Sequence, residues 1–213
     1  MNTQKQKTIF FDLDGTLTIH STWYALNVRL GITPEEDRDL FERYLKGGFS
    51  YDLWTASLVE IYRARSVVTR SDIVALAQSV ELRSDAQEVV NALTQKGYHI
   101  VILSGSVDTI VETIAKRLGV TEWYSTSRLV FNENDQLVDI IASGDEAPAK
   151  DILAKRYAQD QGVVLADCYT IDDGGNGLEL FKNTQGILLG DNEMLKPFAK
   201  HVVATLSEIP ALI

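Results

Sequence analysis

The chain has 213 residues, of which 45% are hydrophobic and 23% are charged, a balance typical of a globular protein. Its 30 acidic and 20 basic residues give a formal net charge of −10, which argues against nonspecific binding to nucleic acid or to an anionic membrane. A single cysteine excludes an intrachain disulfide, and no apolar run has the length of a signal peptide core or a membrane span, so we expect a cytoplasmic protein.

The first predicted strand is followed by two closely spaced carboxylates. Residues 9–18 read IFFDLDGTLT, in which the apolar run predicts a short buried strand and Gly15 permits a sharp turn. On a strand that continued through them, Asp12 and Asp14 would face the same side. Such a pair needs a cation or a hydrogen-bond network to ionise fully, and it can supply a nucleophile and a proton carrier. Taken alone, the pattern is equally typical of a polar turn after an edge strand.

The segment that follows contains several predicted helices and no convincing strand. The helical stretches lie near residues 23–30, 35–45, 51–65 and 71–78. Pro34 marks a helix start, and Gly47 with Gly48 marks a break. Because this block interrupts the chain directly after the first strand, we predict a helical cap domain at 20–83, inserted into a core formed by 1–19 and 84–213.

Strands and helices alternate through the rest of the chain. The predicted elements are strands at 99–103, 168–171 and 187–189, a hairpin across 129–141, and helices at 107–118 and 149–159. This alternation predicts an α/β fold with a doubly wound parallel sheet, which binds ligands at the carboxyl ends of its strands.

Three later segments carry polar residues at predicted element ends. Ser104 and Gly105 follow a strand and are expected to open a helix, where a hydroxyl and free N–H groups can bind an anion. Lys150 is expected at the start of a helix after Pro148. Asp172 and Asp173 end an apolar strand before a glycine-rich turn, an arrangement that suits a hard cation such as Mg²⁺. Each segment alone also has an ordinary explanation as a cap, an exposed lysine or a polar turn.

Taken in order, these four segments resemble the four sequence motifs of the haloacid dehalogenase (HAD) superfamily. The resemblance runs from Ile9 to about Ala204, and the helical insertion makes the chain most similar to the phosphoserine phosphatase-like branch. It implies a Rossmann-like core with a small helical cap. It also implies a Mg²⁺-dependent phosphatase that hydrolyses a small phosphorylated metabolite through an aspartyl-phosphate. A phosphotransferase to an alcohol, or a catalytically impaired binding or regulatory protein, remains an alternative.

The resemblance also implies a role for each matching residue. Asp12 would be the nucleophile, and Asp14 the general acid and base. Ser104, Gly105 and Lys150 would bind the phosphate. The implied metal ligands are Asp12, the backbone carbonyl of Asp14, Asp173 and, as a substitute ligand, Asp172.

Two departures from the family pattern bear on metal and substrate. Gly177 occupies the position of a second acidic residue, so Asp172 either supplies the missing carboxylate or is a spectator. Ser21 and Ala56 stand where phosphoserine phosphatases carry an acidic and a basic substrate contact, so we do not expect phosphoserine as the substrate. The remaining candidates for substrate contacts are His20, Ser21 and Trp54, and the oligomeric state is not predicted.

Overall fold

A computed structural model describes residues 7–48, 50–65 and 67–213, and within these ranges the chain forms one seven-stranded sheet. The strands are β1 (Lys7–Phe11), β2 (Tyr98–Val107), β3 (Glu122–Phe131), β4 (Leu137–Ala142), β5 (Tyr169–Asp172), β6 (Gln185–Leu189) and β7 (Ala199–Val203). Their order is β4-β3-β2-β1-β5-β6-β7, with β4 antiparallel to β3 and all other neighbours parallel. The predicted doubly wound α/β fold is therefore confirmed.

Helices cover the sheet and form the segment that follows β1. They are α1 (Thr22–Arg29), α2 (Pro34–Leu45), α3 (Tyr51–Arg65), α4 (Arg70–Ser79), α5 (Ala86–Gln95), α6 (Asp108–Leu118), α7 (Glu146–Gln161), α8 (Leu178–Asn183) and α9 (Ile209–Leu212). The four helices predicted between β1 and β2 lie within two residues of their expected bounds. Among the described residues, no helix is both long enough and apolar enough to cross a membrane.

Local sequence signals account for several of these helix ends. Thr33 caps α2 and exchanges hydrogen bonds with Glu36, while Pro34 occupies the first helical position, where no N–H is needed. At the C-terminal end of α6, Gly119 adopts a left-handed conformation with φ of +70°. Only glycine adopts this conformation without a steric cost. These signals position the helices that surround the site.

The segment that connects α3 to α4 is anchored on the β3–β4 hairpin. The backbone N–H of Leu137 donates to the carbonyl of Val68 at 2.7 Å, and the N–H of Arg70 donates to the carbonyl of Asp135 at 3.2 Å. The Arg70 guanidinium also lies 4.1 Å from the centre of the Phe131 ring. Helix α3 therefore packs over the hairpin, while α4 packs on α6.

The local structure around Ser104 and around Lys150 differs from the prediction. The strand β2 continues to Val107, so Ser104 and Gly105 lie in a strand and do not open a helix, although α6 begins at Asp108, within one residue of its predicted start. Conversely, α7 begins at Glu146, before Pro148, and Lys150 lies one turn inside it. The reason is that the first-turn N–H groups of a helix have no intrahelical acceptor, so a proline is tolerated there.

Candidate active site

The carboxyl ends of β1 and β5 bring three aspartates together. Asp12 directly follows β1, and its backbone N–H continues the ladder by donating to the carbonyl of Ile171 at 2.9 Å. Asp172 is the last residue of β5, and Asp173 follows it. Carboxylate oxygens of Asp12, Asp172 and Asp173 lie within 4.8 Å of one another. Parallel pairing of the two strands thus joins motifs that are far apart in sequence.

A fully buried lysine lies among these acids. The Nζ of Lys150 is 2.5 Å from Oδ1 of Asp12, 3.4 Å from Oδ2 of Asp172 and 3.5 Å from Oε1 of Glu146. Burial alone would lower the pKa of Lys150, but the carboxylates of Asp12, Asp172 and Glu146 raise it well above the ordinary lysine value. The lysine therefore stays protonated and provides a fixed positive charge beside Asp12.

Asp14 is positioned by a turn and not by a continuing strand. The strand ends at Phe11, and Gly15, with φ of +85°, turns the chain, so the strand does not continue through Asp12 and Asp14 and the condition for a common strand face is not met. One carboxylate oxygen of Asp14 accepts a hydrogen bond from the Thr22 hydroxyl at 2.9 Å, and the other has no hydrogen-bond partner. Burial, assisted by the charge of Asp12, raises the pKa of Asp14 to about 7. Such a group can both donate and accept a proton near neutral pH.

Ser104 and Gly105 lie in β2 beside the aspartates, where the strand is irregular. The pairing of β2 with β3 shifts register between Ser104 and Val107. The buried Ser104 hydroxyl accepts a hydrogen bond from the N–H of Ser106 at 3.0 Å. The carbonyl of Gly105 accepts a hydrogen bond from the indole Nε1 of Trp23 at 3.1 Å. Helix α1 therefore fixes the position of this short segment.

The donor set at the strand ends fits a divalent cation. Oδ2 of Asp12 is buried and has no hydrogen-bond partner. The partner acids are already oriented, since Thr16 donates to Asp173 at 2.8 Å and the N–H of Gly174 donates to Asp172 at 2.9 Å. Burial, with the charge of Asp12, raises the pKa of both Asp172 and Asp173. Hard oxygen ligands with an unpaired buried oxygen among them are suited to Mg²⁺ or a similar ion.

The glycine at position 177 is explained by its contact with Asp172. A Cβ atom added at Gly177 would lie 2.5 Å from Oδ2 and 2.6 Å from Cγ of Asp172. The carboxylate of Asp172 thus fills the space that a side chain at position 177 would need. An acidic side chain therefore fits either at position 172 or at position 177. This supports the interpretation that Asp172 substitutes for the acidic residue that the family pattern has at position 177.

Glu146 is part of the site but was missed in the sequence. Its Oε1 accepts a hydrogen bond from Asn176 at 2.7 Å and lies 3.5 Å from Lys150. A Cβ atom built on Gly105 would lie 1.8 Å from the same oxygen, so the carboxylate lies directly against the phosphate-binding candidate. Burial raises the pKa of Glu146, while Lys150 opposes the rise. The available signal was its spacing of four residues from Lys150, which becomes informative once α7 is known to begin at Glu146.

A cavity of about 690 Å³ opens over Asp14 and Asn176, between these residues and helices α1 to α3. Its aromatic lining residues are Trp23, Tyr24, Phe41, Tyr44, Tyr51 and Trp54. Ser21, which caps α1, also lines the cavity. His20 is exposed and is not among the lining residues. The structure therefore brings Ser21 and Trp54, but not His20, to this cavity.

Comparison with known proteins defines the family. Residues 6–184 match the family model of haloacid dehalogenase-like hydrolases. The chain belongs to this hydrolase family. It is 22% identical over 179 residues to a phosphoserine phosphatase of Methanocaldococcus jannaschii, covering 84% of this chain and 82% of that protein. It is also 23% identical over 168 residues to a 2-hydroxy-3-keto-5-methylthiopentenyl-1-phosphate phosphatase of Microcystis aeruginosa. This match covers 77% of this chain and 78% of that protein.

Solved structures of phosphoserine phosphatases share the fold. A phospho-aspartyl intermediate analogue of phosphoserine phosphatase is 23% identical, has a TM-score of 0.81, and covers 99% of this chain and 100% of its own. A substrate-bound phosphoserine phosphatase complex has a TM-score of 0.80 at 22% identity, with 99% of each chain covered. The resemblance to this branch of the superfamily is therefore confirmed at the level of fold.

Proposed function

We propose that this haloacid dehalogenase-like hydrolase is a Mg²⁺-dependent phosphatase that cleaves a small phosphomonoester through an aspartyl-phosphate on Asp12. The observation that carries the proposal is the contact of buried Lys150 with Asp12, 2.5 Å apart, next to Asp172 and Asp173. Both curated relatives cited above are phosphatases of small phosphorylated molecules by name, which supports the same class of reaction. The juxtaposition of Asp12, Asp14 and Lys150 supports a competent enzyme over an impaired binding protein.

The proposed reaction divides hydrolysis into two steps at Asp12. A carboxylate oxygen of Asp12 attacks phosphorus, the bond to the leaving oxygen breaks, and Asp14 donates its proton to that oxygen. Asp14 then removes a proton from water, which attacks phosphorus and releases inorganic phosphate and free Asp12. The pKa of Asp14 of about 7 supports this alternation between acid and base.

The other polar groups are assigned to binding. Lys150 neutralises charge on the transferring phosphoryl group, and Ser104 with the N–H of Gly105 holds its oxygens. Asp12, Asp172, Asp173 and the Asp14 carbonyl would hold Mg²⁺, which would reduce the repulsion between the nucleophile and the substrate. Segment 20–83 acts as the cap domain over a core of 1–19 and 84–213, a division supported by the aromatic cavity wall that α1 to α3 contribute.

Phosphoserine is not the proposed substrate. Among the residues that the structure describes, no lysine or arginine lines the cavity, so a substrate carboxylate finds no counter-charge from them. Ser21, which also lines the cavity, offers only a hydroxyl, and this hydroxyl already accepts a hydrogen bond from the N–H of Tyr24 at 3.3 Å. Leaving a buried charge unpaired costs about 1–3 kcal/mol or more of binding free energy.

The proposal is tested by phosphate release from a panel of phosphorylated metabolites, with Mg²⁺ and with EDTA. Replacing Asp12 with Asn is expected to abolish turnover while circular dichroism stays unchanged, because the carboxylate is lost without a change in volume. Asp14→Asn is expected to accumulate phosphoenzyme, detectable by intact mass, because water attack loses its base. Normal phosphate release by Asp12→Asn would contradict the mechanism.

A further inference from the structure

The cavity presents exposed apolar side chains next to the reacting groups. Tyr24, Phe41, Leu45 and Met194 line it and are more than 40% exposed, with Leu45 at 65% and Met194 at 57%. Three of them come from α1 and α2, and Met194 follows β6 on the core side. A ligand that covers these side chains removes apolar surface from water, which favours an apolar group in this position.

The aromatic wall is already packed before any ligand binds. The ring of Tyr44 stacks on Trp54 with centroids 6.0 Å apart, and Phe41 lies 6.2 Å from the same indole. Trp23 contacts Trp54 edge-on at 4.9 Å. Because these rings support one another, the exposed face of Phe41 is held in place for a ligand and needs little ordering on binding.

Within the described ranges, the charged residues that line the cavity are all acidic: Asp14, Asp37, Asp145 and Glu146. The nearest buried cation, Lys150, contacts Asp12 and so belongs to the phosphate end of the site. A second negative charge on the substrate would therefore face carboxylates without a compensating cation, which disfavours its binding.

We propose that the natural substrate has an apolar, ring-sized leaving alcohol that carries no negative charge. The inference rests on the proposed phosphatase function and adds the chemical class of the leaving group. The phosphate is bound beside Asp12 and Lys150, while the alcohol part lies between Phe41 and Met194. A volume of about 690 Å³ accommodates a group of this size.

Three synthetic phosphomonoesters test the two parts of this inference. Benzyl phosphate has the apolar ring, 4-carboxybenzyl phosphate adds one negative charge, and methyl phosphate lacks the ring. In all three, a methylene or methyl carbon carries the leaving oxygen, so their intrinsic reactivities are similar. We expect kcat/KM for benzyl phosphate to exceed each of the others by at least about tenfold, the equivalent of one hydrophobic or charge contact.

Two matched leucine variants test whether the cavity determines the preference for benzyl over 4-carboxybenzyl phosphate. Leu45→Arg places a cation in the cavity, and it is expected to reduce the preference for benzyl over 4-carboxybenzyl phosphate by about fivefold or more. Leu53 is similarly exposed at 59% but does not line the cavity, so Leu53→Arg is expected to leave the preference unchanged. Phe41→Ala is expected to raise KM for benzyl phosphate by a larger factor than KM for methyl phosphate, because only the benzyl ring contacts Phe41.

The outcomes separate this inference from the proposed function. Hydrolysis that depends on Asp12 but favours 4-carboxybenzyl or methyl phosphate would overturn the inference and keep the phosphatase. An equal effect of Leu45→Arg and Leu53→Arg would also overturn it, because the cavity would not be the site of selection. Absence of phosphate release from all three esters and from the wider metabolite panel would instead refute the phosphatase proposal.

Discussion

One buried lysine surrounded by carboxylates determines much of the chemistry at the residue scale. Asp12, Asp172 and Glu146 all lie within 3.5 Å of the Nζ of Lys150. Two of these acids belong to the proposed metal and nucleophile set, whereas Glu146 lies against Gly105, where a phosphate oxygen is proposed to bind. The carboxylate of Glu146 therefore competes with the phosphate for the same positive charge.

This competition predicts the effect of Glu146→Gln. Glutamine keeps an oxygen that can accept the hydrogen bond of Asn176 but removes the negative charge beside Lys150. We expect the dissociation constant of inorganic phosphate to fall about threefold to tenfold, which corresponds to roughly 0.6–1.4 kcal/mol. Titration calorimetry measures it, and Asp145→Asn, which removes an exposed charge one residue earlier, is the control with little expected change. Weaker phosphate binding by Glu146→Gln would contradict this account.

The contact between Asp172 and Gly177 predicts the outcome of exchanging the two residues. Gly177→Asp alone is expected to weaken metal binding, because its Cβ would lie 2.5 Å from Oδ2 of Asp172 and displace that carboxylate. Asp172→Gly alone is also expected to weaken it, because one charged ligand is lost. The double exchange relieves the clash and restores a carboxylate, so its half-saturating Mg²⁺ concentration should return toward that of the parent.

A Mg²⁺ titration of phosphate release by the parent, both single variants and the double variant measures this recovery. If Asp172→Gly leaves the titration unchanged, Asp172 is a spectator and the ligand assignment is wrong. If the double variant is weaker than either single variant, the two positions do not exchange one carboxylate. Both results can be read from the same set of curves.

At the scale of elements, the buried indole of Trp23 connects helix α1 to strand β2, beside a hydrogen bond between the Thr22 and Ser106 hydroxyls. The Nε1 of Trp23 donates to the carbonyl of Gly105, the residue beside the proposed phosphate site. Trp54 provides a natural comparison, since it is also buried in the same aromatic cluster but its Nε1 has no hydrogen-bond partner.

The two tryptophans therefore predict different consequences of replacement by Phe. Trp23→Phe is expected to lower the free energy of unfolding by about 1–2 kcal/mol through the lost hydrogen bond and to reduce kcat/KM, because Gly105 loses a support. Trp54→Phe removes a buried unpaired donor, so its cost is expected to be smaller and confined to packing. Urea unfolding and initial rates measure both effects. Equal losses in the two variants would show that the indole contact with Gly105 has no special role.

The bounds of the helices and strands were only partly predictable from the sequence. Periodicity and helix signals located α1 to α4 closely, because Pro34, Gly47 and the apolar spacing act within a few residues. They could not place the end of β2, since Ser104 to Val107 stay in the sheet through pairing with β3, a tertiary interaction. Only the order of the motifs predicted that Asp12, Lys150 and Asp172 form one cluster. Glu146 was not predicted as a site residue, because the predicted start of α7 lay after Pro148.

At the scale of the whole molecule, folding forces three carboxylates together at the ends of β1 and β5. The chain already carries a net charge of −10, and Lys150 is the cation in contact with Asp12 and Asp172 in the described part of the chain. Burial raises the pKa of Asp172 and Asp173, which indicates that the ion-free cluster opposes the folded state. An ion bound only by the folded protein should therefore stabilise the entire molecule.

This coupling predicts a metal-dependent melting temperature. At a free Mg²⁺ concentration about 100 times its dissociation constant, the free energy of unfolding is expected to rise by about 2.7 kcal/mol. For a chain of this length the gain corresponds to an increase of roughly 5–10 °C in Tm. Differential scanning calorimetry with EDTA and with increasing Mg²⁺ measures it, while Asp173→Asn should need much more Mg²⁺ for the same increase. Lys150→Ala is the matched comparison, because it alters charge at the site without removing a ligand and should retain a Mg²⁺-dependent increase. A Tm indifferent to Mg²⁺, together with phosphate release that survives EDTA, would refute the metal site.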